Sequence, residues 1–183
     1  MQLLCFANVD SLIIALDGAQ STSQKMQLSN EIAEELLLKN PIRSISFCNK
    51  GIALKSRSKK NFDLARFYKT KGTAHLYLGE YDSTKFYWVA YLDALPHDKK
   101  KELSDGYNNL GVYFQTINNA DSSLYYHKKA LALRTQLNRS VDIAKSMNNI
   151  AAIYRKRGDL KKALDLYNKA LKIYQKHDKK KEI

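Results

Sequence analysis

Hydrophobic and polar positions alternate along most of the chain at helical spacing, and the pattern recurs. Met147, Ile150, Ala151 and Tyr154 fall at i, i+3, i+4 and i+7, one face of a helix. Arg157-Gly158-Asp159 then interrupts the run. Gly158 predicts a left-handed cap, and Asp159 predicts the N-cap of the next helix. Leu160, Ala163, Leu164, Tyr167, Ala170, Leu171 and Tyr174 make the stripe of that second helix. The segment before it reads alike: Leu110, Gly111 and Phe114, a turn at Asn118-Asn119, then Ser123, Leu124, His127, Ala130 and Leu131. Earlier still, Gly72, His75 and Leu76 precede the turn Gly79-Glu80, and Thr84, Trp88, Tyr91 and Leu92 follow it. The faintest copy is Ile32, Ala33 and Leu36, then Asn40-Pro41, then Ser44, Cys48 and Gly51. Pro41 suits the first turn of its second helix.

The copies keep one register. His97-Asp-Lys-Lys-Lys-Glu-Leu103 returns 80 residues later as His177-Asp-Lys-Lys-Lys-Glu-Ile183, and Ile143 stands halfway. Gly111 and Ala151 are 40 apart, as are Ala130 and Ala170. Gly79, Asn118 and Gly158 step by 39 and 40. The period is therefore about 40 residues of helix, turn, helix, and repeats of this length build solenoids. Each first helix carries one small residue (Ala33, Gly72, Gly111, Ala151). Antiparallel helices that cross at about 8–10 Å need a small residue at the crossing. A large side chain on the facing helix is expected to fill the space beside it.

These residues resemble the tetratricopeptide repeat. The last copy carries the pattern best, with Ile150-Ala151, Tyr154, Gly158-Asp159-Leu160, Ala163, Tyr167 and Ala170. The third departs at Asn118-Asn119-Ala120, Ser123 and His127, the second at Lys71, His75, Thr84 and Tyr91, and the first is degenerate. The resemblance covers residues 25–177 and implies an all-α, right-handed α-solenoid of antiparallel helix hairpins. The expected boundaries are 25–60, 61–98, 99–138 and 139–177. Residues 1–24 hold a short capping helix near Val9–Leu16, and 178–183 read as the start of a further, truncated repeat. The period exceeds the usual 34 or so. Long repeats of this kind are similar to those of kinesin light chains, of bacterial peptide-pheromone regulators and of the sensory regions of Bacteroidetes-type histidine kinases. The opening, Val9-Asp-Ser-Leu12, then Leu28-Ser-Asn-Glu-Ile-Ala33 and Asn40-Pro41, is closest to the last group.

Charge adds a second expectation. Of 31 basic and 18 acidic side chains, residues 1–50 hold four and five, so the net charge of +13 lies in the rest. A basic balance suggests an acidic partner, nucleic acid included. The lysine clusters at 59–60, 99–101, 128–129, 161–162 and 179–181 recur once per repeat, in turns or on outer faces, which fits solvated surface better than a nucleic-acid groove. No apolar run is long enough to span a membrane. Cys5 and Cys48 make no disulfide framework.

The sequence offers little for catalysis: no glycine-rich phosphate loop, no HExxH and no nucleophile turn. No cofactor or metal is expected. His75 and His127 read as core histidines, and Cys48 as a buried thiol. Binding is better supported. The resemblance puts the first helix of each hairpin on a concave groove. That face would present Arg66, Lys69 and Thr73, then Asn108 and Asn109, then Lys145, Asn148, Asn149 and Arg155. Asparagine donates and accepts at once, so it can read a peptide backbone. Lysine and arginine suit carboxylates. Tetratricopeptide domains that clamp a C-terminal carboxylate use two residues, one residue and two residues in successive repeats. The equivalents here are Lys69 and Thr73, Asn109, and Lys145 and Asn149; Lys69, Asn109 and Lys145 match.

The expected function is thus a non-catalytic scaffold for a protein or peptide. It reads as the N-terminal sensory or regulatory part of a larger bacterial signalling protein, with a kinase or DNA-binding output domain beyond it. The alternative is a stand-alone adaptor for an acidic or C-terminal peptide, with nucleic acid a distant third. The compartment stays open: cytoplasmic for the chain as it stands, periplasmic if it belongs to a membrane sensor.

Overall fold

A computed structural model of the protein describes residues 9–57 and 62–179. The N-terminal stretch with Cys5, the Lys59-Lys60 pair, Lys180-Lys181 and Ile183 lie outside these residues. The described residues form nine α-helices and a short 3₁₀ turn. They are α1 (Val9–Gly18), α2 (Thr22–Leu36), α3 (Pro41–Ala53), α4 (Phe62–Tyr77), α5 (Tyr81–Asp93), α6 (Lys100–Thr116), α7 (Ala120–Gln136), α8 (Ser140–Lys156) and α9 (Leu160–Lys179). The chain divides into two compact units, at Ala94 and Leu95.

In the first unit, α2 pairs with α3 and α4 with α5, while α3 packs on α4. Its core is Met26, Ile32, Ala33, Leu36, Phe47, Cys48 and Phe67. α1 lays Val9, Leu12, Ile13 and Leu16 against that cluster. In the second unit, α6 pairs with α7 and α8 with α9, and α7 packs on α8. Its interior is built from smaller pieces: Leu110, Tyr113, Ala130, Ala144, Ile150, Ala151, Ile153, Ala163 and Ala170 are buried. α9 runs to Lys179, into the segment 178–183.

The turns follow the local chemistry. Gly79, Asn118 and Gly158 have φ of 74°, 59° and 81°, so the α4–α5, α6–α7 and α8–α9 hairpins each reverse through one left-handed residue. Glycine takes this conformation without strain, and asparagine tolerates it better than most residues. After two of these turns the next residue caps the following helix. Asn119 Oδ1 accepts from the Ser122 backbone N–H at 3.0 Å and Asp159 Oδ1 from that of Lys162 at 3.2 Å. Asn40 does the same for Arg43. Glu80 makes no such cap; its carboxylate meets His75 Nδ1 at 2.5 Å instead.

The crossings are tight where the small residues predict. A Cβ on Gly72 would lie 2.3 Å from the Trp88 ring, and one on Gly111 would lie 2.6 Å from the His127 ring. The small residue of the partner helix closes the same crossing. Ser44 Oγ donates to the Ala33 carbonyl at 2.6 Å, and Ser123 Oγ to the Gly111 carbonyl at 2.8 Å. Both serines are fully buried, so the bond satisfies a hydroxyl that water cannot reach.

Candidate functional site

Three of the expected groove residues lie in the first unit, along α4. Arg66 and Lys69 are exposed, and Thr73 is half-buried. Arg66 Nη2 reaches Glu34 of α2 at 3.4 Å, with both side chains about half exposed. At that exposure the pair is worth little. The Thr73 hydroxyl donates to the Lys69 carbonyl one turn back, at 3.0 Å.

The other six lie in the second unit, on α6 and α8. Asn108 Oδ1 accepts from Asn149 Nδ2 at 3.2 Å and from Arg134 Nη1 at 3.3 Å. Asn108 and Asn149 therefore tie α6 to α8. Asn109 and Asn148 are half-buried and make no side-chain hydrogen bond among the described residues. Lys145 is 60% exposed, with Asp142 Oδ1 3.5 Å from its ammonium. Arg155 is exposed. Of the five clamp-like positions, Thr73, Lys145 and Asn149 have internal bonds.

Arg134 is the centre of a polar network that periodicity alone does not reveal. It is 4% exposed, on α7. Its guanidinium donates to Ser146 Oγ at 2.8 Å, Asp105 Oδ1 at 3.0 Å, Asn108 Oδ1 and the Asp142 carbonyl. Arg139 joins Asp105 at 3.5 Å and Asp142 at 2.8 Å. The signal in the sequence is a charge in an apolar column: Arg134 stands one turn after Ala130. The first unit has its own buried cation. Lys71 Nζ donates to Asn49 Oδ1 and to the Tyr87 hydroxyl, both at 2.7 Å.

The histidines and the buried cysteine are where the sequence puts them. His127 is fully buried and neither ring nitrogen has a partner. Burial, then the Arg134 charge, brings its pKa down to about 4. His75 is partly buried and stacks on Tyr87 with ring centroids 5.2 Å apart. Cys48 is buried, and that burial pushes its thiol up to about 12, away from the thiolate form. Among the described residues no group of three His, Cys, Asp or Glu side chains is placed to hold a metal ion. No helix there is long and apolar enough to cross a membrane. Lys100, Lys101, Lys128, Lys129, Lys161 and Lys162 are exposed, and Lys99 is half-buried. Lys129 Nζ lies 5.0 and 4.8 Å from the Tyr107 and Tyr125 ring centres, and Lys162 Nζ 5.4 Å from that of Tyr154.

One polar residue inside the first unit has no sequence-level role at all. Asn30 sits in the apolar column of α2 that holds Met26, Ala33 and Leu36. It is 2% exposed.

The tetratricopeptide repeat family model matches residues 102–176, from the first turn of α6 into α9. No curated protein sequence matches the chain. Solved structures do. BtubC (BKLC) from P. vanneervenii is similar with a TM-score of 0.80 and 18% identity, over 92% of this chain and 71% of that one. A Rap protein complexed with competence and sporulation factor is similar at 0.79 and 14% identity, over 90% of this chain. This chain spans only 48% of it. The tetratricopeptide-like repeats of a Podosopora anserina putative kinesin light chain are similar at 0.70 and 11% identity, over 92% and 84%. The fold is thus all-α and of the tetratricopeptide type, built of helical hairpins. The likeness to histidine-kinase sensory regions is carried by the sequence resemblance alone.

Proposed function

We propose that this tetratricopeptide-type array is a non-catalytic scaffold that binds an acidic protein or peptide along the first helices of its hairpins. The observation that carries the reading is a set of exposed cations with little to hold them. Lys69 and Arg155 have no side-chain partner among the described residues, and Lys145 has only Asp142 at the limit of contact. Cations that are neither buried nor firmly paired lose little on meeting a carboxylate. Asn109 and Asn148 add half-buried, unbonded amides on α6 and α8. Asn108 and Asn149 tie α6 to α8 rather than act as reading heads.

Charge reversal tests this. In Lys69→Glu and Lys145→Glu, affinity for a fluorescent poly-aspartate peptide is expected to fall at least about tenfold each, roughly 1.4 kcal/mol. Unchanged capture overturns the reading. A duplex DNA probe that binds more tightly than the peptide, with affinity falling steeply with salt, would favour nucleic acid instead.

The regulatory setting belongs to the same proposal. What supports it is the likeness to the Rap protein, a longer chain solved in complex with competence and sporulation factor. Mass spectrometry of the native protein tests it: a species extended by a kinase or DNA-binding domain is the expected result. A native species with no output domain, recovered with acidic partners, favours the adaptor.

A further inference from the structure

α2 and α4 enclose a pocket of about 130 Å³, lined by Ser23, Met26, Gln27, Asn30, Arg66 and Phe67. That is far more than the roughly 10–15 Å³ that one water needs by the same measure. Met26 and Phe67 are buried hydrophobics. Asn30 is as buried as they are, yet neither its Oδ1 nor its Nδ2 has a hydrogen-bond partner. A primary amide has two donors and an acceptor with two lone pairs, and burying them unpaired is strongly unfavourable. Nearby, the same unit satisfies Ser44 through the Ala33 carbonyl and Lys71 through Asn49 and Tyr87. Arg66, also lining the pocket, is half exposed and held only by Glu34 at 3.4 Å.

We infer that this pocket is a subsite for the carboxamide side chain of an asparagine or glutamine in a peptide ligand, with a carboxylate next to it in the ligand sequence. Two carboxamides satisfy each other in both directions, N–H to oxygen and oxygen to N–H, which is what Asn30 lacks. The Met26 and Phe67 side chains give the methylene stem an apolar wall. The neighbouring carboxylate replaces Glu34 on Arg66, where a forked guanidinium can hold both of its oxygens. An aliphatic side chain in the same place would leave the Asn30 amide unpaired, so the site discriminates by polarity rather than by size.

The inference rests on the groove reading in one respect: it takes the ligand to be a peptide. Its residues are different, so the two fail separately. The experiment is a titration of the ¹⁵N-labelled full chain with the blocked tetrapeptide Gly-Asn-Glu-Gly, followed by NMR at the Asn30 side-chain amide. Its counterpart Gly-Leu-Glu-Gly serves as the control. A saturable shift of the Asn30 amide is expected with the first peptide, and binding weaker by at least about tenfold with the second. Arg66→Gln is expected to weaken the first peptide severalfold without loss of fold, because the side chain is half exposed. An Asn30 amide that does not move up to about 10 mM peptide, the weak end of measurable affinity, overturns the inference. So does equal binding of the two peptides, which would leave the pocket a site for ordered water. Tetrapeptide binding that persists in Lys69→Glu and Lys145→Glu, when capture of poly-aspartate is also unchanged, overturns the groove and leaves the pocket standing.

Discussion

Two buried polar side chains, one in each unit, are treated in opposite ways. In the second, a buried arginine is surrounded by partners: Asp105, Asn108, Ser146 and the Asp142 carbonyl all accept from Arg134. In the first, a buried asparagine has none, and it lies beside open space. The apolar frames differ too. Met26, Ile32, Leu36, Phe47 and Phe67 fill the first core, whereas the second relies on alanines and serines at close crossings. Small residues bring helices near but bury little area, so side-chain bonds do more of the specifying there. The contrast separates a polar group that holds helices together from one that waits for a partner.

The largest expected effect comes from removing the staple. Arg134→Met leaves the fully buried Ser146 hydroxyl without its donor, and Asp105, about a third exposed, with Arg139 alone. Breaking a buried pair by deleting one member typically costs about 3–5 kcal/mol, and water at Asp105 puts the expected loss at the low end of that range. Denaturant unfolding is expected to show a loss of that order, with hydrogen-exchange protection falling in α6, α7 and α8. A loss below about 1 kcal/mol, the range of exposed pairs, would show that the network is decoration. It would also erase the contrast between the units.

His127 sharpens the same point with pH. Its ring is buried without a partner, beside the Arg134 charge, and its pKa is down at about 4 from the ordinary 6.5. The folded form therefore holds the neutral ring. Its contribution to stability is complete above pH 6.5, falls as the pH drops from there towards 4, and is flat below. At 1.36 kcal/mol per pH unit the loss is about 3 kcal/mol. Carboxylates of the unfolded chain also begin to take up protons towards pH 4, so the comparison is with His127→Phe. Thermal melts between pH 7 and 4 are expected to show the parent falling and the variant falling less. Parallel curves would mean that the ring finds a partner on protonation.

Much of this was legible in the sequence. The period, the turn at Gly79, Asn118 and Gly158, the cap at Asp159 and the tight crossings at Gly72 and Gly111 all follow from local rules: left-handed backbone, capping oxygens and helix contact distance. The core positions of Cys48 and His127 follow from the register. The candidate site was legible only as a face. Periodicity says which way Asn108 and Asn149 lie, but whether two asparagines read a ligand or each other depends on the distance between helices about 40 residues apart in the chain. Arg134 and Asn30 each show in the sequence as a polar residue in an apolar column. The column cannot say that one has four acceptors around its guanidinium and the other none, because such partners come from other helices.

Asn30→Leu is the smallest effect and the one that decides how the first unit is built. If the amide is bare in the free protein, replacing it with an apolar side chain of similar volume removes an unpaid desolvation cost and adds apolar contact with Met26 and Phe67. The expected change is a gain of about 1–2 kcal/mol, the scale of one unsatisfied buried group, read as a rise in melting temperature. If ordered water bonds the amide, the leucine displaces that water and gains little, and the melting temperature stays or falls. The sign alone thus distinguishes a pocket kept open at the expense of stability from one already satisfied. A rise coupled to lost binding of the asparagine tetrapeptide would place stability and recognition in opposition at a single residue. Arg134 in the second unit should show no such opposition, since its removal lowers stability and leaves no open amide behind.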